Sequence, residues 1–227
     1  MKRFWTDVTV ADRAVSLDGR PVRTPGRAPL VLATDALADL VADEWRGVGE
    51  TLDPRAMPLT GLANAAIDRV APDPARFAAD LARYGESDLL CYRADAPDDL
   101  VGRQAAAWDP PLDWARRRYD VHFTVAAGVM HRPQPPATIA RLRDAVAAQD
   151  AWTLAALSPV VTLTGSLVLA LALTAGAITP DAAWAAATVD EAWQAERWGV
   201  DPLAAEAAAD RRRAFDAAAA FLAALAR

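Results

Sequence analysis

The residue types that carry most protein chemistry are scarce in this 227-residue chain. A zinc site needs several His or Cys ligands at close, regular spacing. His122, His131 and Cys91 are the whole supply, and they show no ligand spacing. The two histidines lie across an expected turn and read as surface or internally satisfied side chains. A single cysteine excludes an internal disulfide and fits a reducing compartment. Neither the phosphate loop ending Gly-Lys-Ser/Thr nor the dinucleotide fingerprint occurs. Gly165-Ser166 lacks the second glycine of a nucleophile elbow. Lys2, the only lysine, is poorly placed for a buried Schiff base. Carboxylates are so plentiful that some pair will always be close, which carries no weight alone. No catalytic residue, metal ligand or cofactor is therefore expected, and the chain reads as a binder rather than an enzyme.

Tryptophan is the abundant functional type: Trp5, Trp45, Trp108, Trp114, Trp152, Trp184, Trp193 and Trp198. Indole buries a large area while keeping one donor, which suits both cores and interface hot spots. At least five of the eight are expected in the core. A helix predicted over Thr179–Trp198 is the exception to plain core patterning. At 3.6 residues per turn, Trp184, Glu191, Gln194 and Trp198 fall on one stripe, and Val189, Trp193 and Glu196 on another. A helix that merely packs its apolar side would not interleave Trp with Glu and Gln on one face. Such a stripe can offer carboxylate and amide groups to a partner's arginines or backbone N–H groups. Equally, Glu191 and Gln194 can hydrogen-bond internally and brace the helix. Both readings stand at this point.

The elements that must position these residues read as strands first, then helices. Asp18-Gly19 separates Ala14–Leu17 from Pro21–Thr24, a hairpin signal because a primed turn needs positive φ. Leu30-Val31-Leu32 suggests a third strand. Thr34 is a predicted N-cap for a helix carrying Leu37, Leu40, Val41, Trp45 and Val48. Thr60 is predicted to cap a second helix running to about Val70, and Asp73-Pro74 opens a third. Further on, Asp98–Trp108 and Leu112–Tyr119 read as helices broken at Asp109-Pro110-Pro111, with Val121–Val125 extended. Helices are expected over Pro136–Gln149, Val160–Leu173 and Leu203–Ala226. The predicted fold is α+β: a small strand-containing domain over 1–72 and a larger, mainly helical domain over 73–227.

Hydrophobic residues make up 53% and charged residues 24%, a globular balance. Net charge is −6, which gives nucleic-acid binding no electrostatic basis. Arg116–Arg118 and Arg211–Arg213 sit among acids and read as solvated helix faces. The start, Met1 to Asp7, has no apolar h-region, so a signal peptide is not expected and the location is read as the bacterial cytoplasm. No charge occurs between Asp150 and Asp181, a length that could span a bilayer, and Val160–Leu173 within it is strongly apolar. Pro159, Thr162, Thr164, Gly165 and Ser166 dilute it, and both flanks are acidic, so it reads as a buried core helix.

Four segments in order resemble a known family. They are Met57-Pro58-Leu59-Thr60-Gly61-Leu62-Ala63-Asn64-Ala65-Ala66-Ile67-Asp68, Gln104 with Trp108-Asp109-Pro110 and Trp114, Ser166–Leu173, and Asp190-Glu191-Ala192-Trp193-Gln194 with Trp198-Gly199. Together they resemble the ATP synthase assembly chaperones of mitochondria and alpha-proteobacteria that bind the unassembled alpha subunit of the catalytic head. Pro111 and Ala65 depart from the family pattern, which bears on the local turns there. The resemblance implies a protein client, no catalysis and no nucleotide use, with a monomer expected. It implies that Glu191 meets the client, with Glu196 second and Gln194, Trp198 and Trp184 beside them.

Overall fold

The structure, a computed structural model, describes residues 2–128, 130 and 132–226; His131 lies outside the described residues. The fold is α+β, strands first and helices after, and the chain divides into two compact units. One unit comprises Met1–Phe77, Asp150–Ala156 and Ala217–Arg227; the other comprises Ala78–Gln149 and Leu157–Asp216.

The first unit is built on a three-stranded antiparallel meander, β1 (Val8–Ala11), β2 (Ala14–Leu17) and β3 (Arg20–Pro21). At the β2–β3 turn, Asp18 and Gly19 hold φ of 46° and 75°, as a primed turn requires. The Asp18 carboxylate also accepts from the Thr6 and Asp7 N–H groups. These bonds, Asp7 first, hold its pKa below the ordinary carboxylate value. The β1–β2 turn is equally left-handed at Asp12 and Arg13 without a glycine. Arg13 is held from both sides: its carbonyl accepts from Leu32 N and its guanidinium donates to Ala33 O.

Leu30–Leu32 does not form the expected third strand: it makes one isolated bridge, Val31 with Ala14, and single bonds from Leu30 N to the Val22 carbonyl and from Leu32 N to the Arg13 carbonyl. Pro29 has no N–H, and the Val31 N–H is spent on the Pro29 carbonyl, so the ladder cannot extend. Its leucines still bury fully beside Val8, Val15 and Leu17.

Helix α1 (Asp35–Arg46) starts at Thr34, whose hydroxyl accepts from Leu37 N and donates to the Ala224 carbonyl. Helix α2 (Pro58–Ala65) starts two residues before its expected cap and runs on as a π-helical turn, Ala66–Val70. Thr60 is no cap. The Glu44 carboxylate of α1 takes that role instead, accepting from Leu59 N, Thr60 N and the Thr60 hydroxyl at 2.9, 2.8 and 2.5 Å. Helix α3 (Pro74–Ala82) opens at Asp73, which accepts from Arg76 N.

The second unit packs helices around an apolar centre. Helix α4 (Asp98–Tyr119) runs unbroken through Pro110 and Pro111, against the expected break. Pro111 and Leu112 are buried, as is Trp108 one turn earlier, so packing on both sides holds the helix where local propensity would end it. A two-strand parallel pair joins β4 (Tyr92–Arg93) to β5 (Ala126–Ala127), which directly follows the extended stretch predicted at 121–125. Helix α5 (Pro136–Ala147) buries Leu142 and Val146. The apolar run is two helices rather than one, α6 (Ala151–Thr164) and α7 (Leu167–Thr174). Gly165 breaks it at φ 67°, and the Ser166 hydroxyl caps α7 by accepting from Leu169 N. Residues 167–172 are buried all round, and Val168 and Leu169 pack with Leu90, Trp108 and Leu112. Among the described residues no helix is long and apolar enough to cross a membrane.

Asp88 anchors this centre. It is fully buried and accepts from Leu90 N at 3.1 Å and Val168 N at 2.9 Å. Burial pushes its pKa up to about 6, against the pull of those N–H groups. Cys91 is buried nearby, and desolvation raises its thiol to about 12, leaving it inert.

Candidate functional site

The second unit ends in α8 (Pro180–Ala187), α9 (Val189–Trp198) and the first two-thirds of α10 (Pro202–Leu225). The helix expected over Thr179–Trp198 is therefore two helices. Thr179 caps α8 as predicted, its hydroxyl accepting from Ala182 N. Thr188 then leaves helical geometry at φ −115° and ψ 18°, and its hydroxyl bonds back to the Trp184 carbonyl at 2.9 Å. A threonine hydroxyl bonded to the i−4 carbonyl favours bending of a helix, and here that bond stands at the break. Gly199, at φ 86°, closes α9 as predicted.

The predicted stripe stays together across that break. Trp184, Glu191, Gln194 and Trp198 all line one groove of about 480 Å³, whose other wall is α10 from Ala204 to Arg211. On the α10 side Ala204, Ala205 and Ala208 carry only methyl groups, which keeps the trough open. Trp184 is half-buried, its ring 5.2 Å from Phe215 with the Arg212 guanidinium 5.7 Å away. Glu191 is exposed and meets Arg211 at 3.1 Å across the groove. Gln194 is exposed on the same wall. Trp198 and Val200 line the groove and are 74% and 67% exposed; Leu203, in the first turn of α10, is 77% exposed.

Glu196 lies outside the groove. It pairs with Arg103 of α4 at 2.7 Å, and that hydrogen bond holds its carboxyl below the ordinary value.

The residues that brace α8 and α9 include Trp193, Gln104, Trp108 and Asp190, which the sequence reading named without giving them this role. Trp193 is buried and donates its indole N–H to Asp99 at 2.9 Å, and Arg197 pairs with the same carboxylate. The Trp193 bond first and Arg197 second lower the Asp99 pKa. Gln104, also buried, donates to Asp190 at 2.7 Å and accepts from Ala94 N at 2.8 Å. Trp108 donates to the Ala186 carbonyl at 2.6 Å. A signal existed: Asp190 sits three residues before Trp193 and four after Ala186, on the buried side, where a carboxylate needs a partner.

The arginine run on α10 is spent on acids rather than free for a ligand. Arg211 holds Glu191, Arg212 holds Asp181 and Asp216 at 2.5 and 2.8 Å, and Arg213 holds Asp210. Arg116 likewise pairs with Asp113. Among the described residues no cluster of His, Cys, Asp and Glu could hold a metal ion. An open apolar trough rimmed by a carboxylate, an amide and a guanidinium is suited to holding a protein surface.

Known proteins resemble this chain. A family model described as "ATP12 chaperone protein" matches residues 2–116. Among curated proteins, the mitochondrial protein atp12 of Schizosaccharomyces pombe is 24% identical over 214 residues, spanning 87% of this chain and 74% of that protein. The crystal structure of Atp12 from Paracoccus denitrificans superposes with a TM-score of 0.91 at 46% identity, covering 100% of this chain and 98% of that one. A candidate chaperone from Agrobacterium tumefaciens gives a TM-score of 0.94 at 45% identity, covering 99% of this chain and 86% of its own.

Proposed function

This chain belongs to the ATP12 chaperone family, and from that premise we propose that it assists assembly of the ATP synthase catalytic head by holding the unassembled alpha subunit. It covers the surface that the beta subunit later takes and gives way when the beta subunit competes. It acts by binding, as a cytoplasmic monomer, and not by catalysis. The observation that carries this reading is the pair of exposed apolar side chains, Trp198 and Val200, that line the α9–α10 groove. Large exposed apolar surface is costly to leave in water and commonly marks a partner site.

Within the groove, Trp198 is the anchor and Trp184 the half-buried floor. Glu191 and Gln194 supply acceptors to the client, with Arg211 holding Glu191 in place until the client's own donors replace it. Glu196 sets the α9 end through Arg103 and meets the client only at its edge. Shielding an interface that would otherwise aggregate needs moderate affinity, so that the final partner can win.

Co-purification tests this directly. Tagged protein expressed with the ATP synthase alpha subunit should retain it at near one-to-one ratio. Trp198→Ala and Glu191→Lys should lose that capture while shifting the melting temperature by no more than about 2–4 °C, since both side chains are exposed. Failure of the unaltered chain to capture alpha subunit would overturn the client assignment. Capture by both variants at full strength would move the contact away from this groove.

A further inference from the structure

The segment that leads from α4 into β5 is held from one side only. Thr138, buried in α5, accepts from the His122 N–H at 3.2 Å and donates to the His122 carbonyl at 2.7 Å. Gln134, also buried, accepts from the Thr124 N–H at 2.9 Å and donates to the Thr124 carbonyl at 2.8 Å. Further along, the Gly128 N–H donates to the Arg93 carbonyl at 2.9 Å, and in the parallel β4–β5 ladder this turns Ala126 toward β4 as well. The even-numbered residues from 122 to 128 therefore spend their backbone groups on this chain. That period of two marks an extended strand.

The odd-numbered residues point the other way. Among the described residues, nothing hydrogen-bonds the backbone N–H or C=O of Phe123, Val125 or Ala127. Val125 and Ala127 are exposed, and buried backbone groups seldom go unpaired, so this row of donors and acceptors is left to water. A free strand edge is a template for another chain, and proteins commonly block one with lysine, proline or an inward charge. Val121–Ala127, reading Val-His-Phe-Thr-Val-Ala-Ala, carries none of these. Thr138 and Gln134 supply the bonds that a neighbouring strand would give on the inner side, so the outer edge is set in strand geometry before any partner arrives.

We propose that the edge at Phe123, Val125 and Ala127 takes an extended, apolar segment of another polypeptide as a third strand beside β5. Main-chain hydrogen bonds supply the affinity, and a β-branched side chain of the partner packs on exposed Val125. A second copy of this chain fits less well. Two chains of net charge −6 repel each other, whereas a segment flanked by basic residues is drawn in. The edge lies within the second unit, and its use does not depend on the identity of the client.

The test uses the full chain, labelled with 15N, and the peptide acetyl-Lys-Val-Thr-Val-Thr-Val-Lys-amide. Its control is the same peptide N-methylated at every residue, which keeps the charge and side chains but loses the backbone N–H groups. Amide exchange at Phe123, Val125 and Ala127 should be fast in the free chain and slow by about tenfold or more on saturation with the peptide. Exchange at His122, Thr124 and Ala126 should be slow throughout. The N-methylated peptide should bind at least about tenfold more weakly. Val125→Pro and Ala127→Pro each remove an N–H that this chain does not use, and a strand edge tolerates proline, so both should keep the parent's melting temperature and lose the peptide. Unchanged exchange at the three odd-numbered amides, equal binding of the two peptides, or full binding by both proline variants would each overturn the proposal. Protection of the same amides by self-association of the chain alone, followed by sedimentation, would overturn it too by giving the edge to a second copy.

Discussion

Asp88 shows how much one side chain can carry. It holds the N–H groups of Leu90 and Val168 and so ties a 3₁₀ turn to the start of the buried helix α7. Asp88→Ala should destabilise the protein by about 2–4 kcal/mol, read from denaturant unfolding, because both donors are left unsatisfied. Its raised pKa also sets a pH dependence. A carboxyl near 6 in the folded chain and 3.8 when unfolded binds its proton more tightly when folded. That contribution to stability is complete below about pH 4 and is lost as pH rises through about 6. Unfolding midpoints measured from pH 4 to 7 should therefore drift in favour of Asp88→Asn relative to the parent. Asp99 runs the other way: its lowered pKa makes a contribution present above its unfolded value and lost as pH falls, and Trp193→Phe should weaken that dependence. Glu191 and Asp190, adjacent in sequence, sit in different surroundings. Asp190 is tied to buried Gln104, whereas Glu191 is exposed and tied only to Arg211 across the groove.

At the scale of elements, the strongest local signals carried through. Thr34, Asp73 and Thr179 accept the N–H groups expected of them, and Asp18-Gly19 makes its hairpin. These depend on residues within three or four positions, which a sequence displays directly. The failures are places where distant contacts decide. Glu44 replaces Thr60 as the cap of α2 from fifteen residues away, and packing around Trp108 and Leu112 carries α4 through two prolines. Gly165 and Thr188 each end a helix, which only the packed chain shows. The groove was readable because its residues recur at helical spacing; its far wall on α10, alanine and arginine by composition, carried no such mark. Two measurements test the element assignments. Gly165→Ala should cost about 1–2 kcal/mol, because alanine must adopt a left-handed φ of 67°. Glu44→Ala should cost about 1–3 kcal/mol by leaving Leu59 N and Thr60 N without their acceptor.

For the whole molecule, the feature that matters most is that the first unit is not continuous in the chain. Its first 77 residues are joined by 150–156 and by 217–227. Trp152 stacks on Phe221 at 6.3 Å, and the cap of α1 donates to the Ala224 carbonyl. Removing residues 217–227 should therefore broaden unfolding and lower its midpoint, measured by circular dichroism, by far more than loss of one fraying helix end would. Synthesis runs from one end only, so the β1–β3 meander and α1 emerge long before the residues that complete their packing. During that interval the growing polypeptide carries an open apolar face of its own. This assembly chaperone must therefore itself pass through a sticky stage. Its yield in the cell should consequently depend on how quickly translation delivers the last helix.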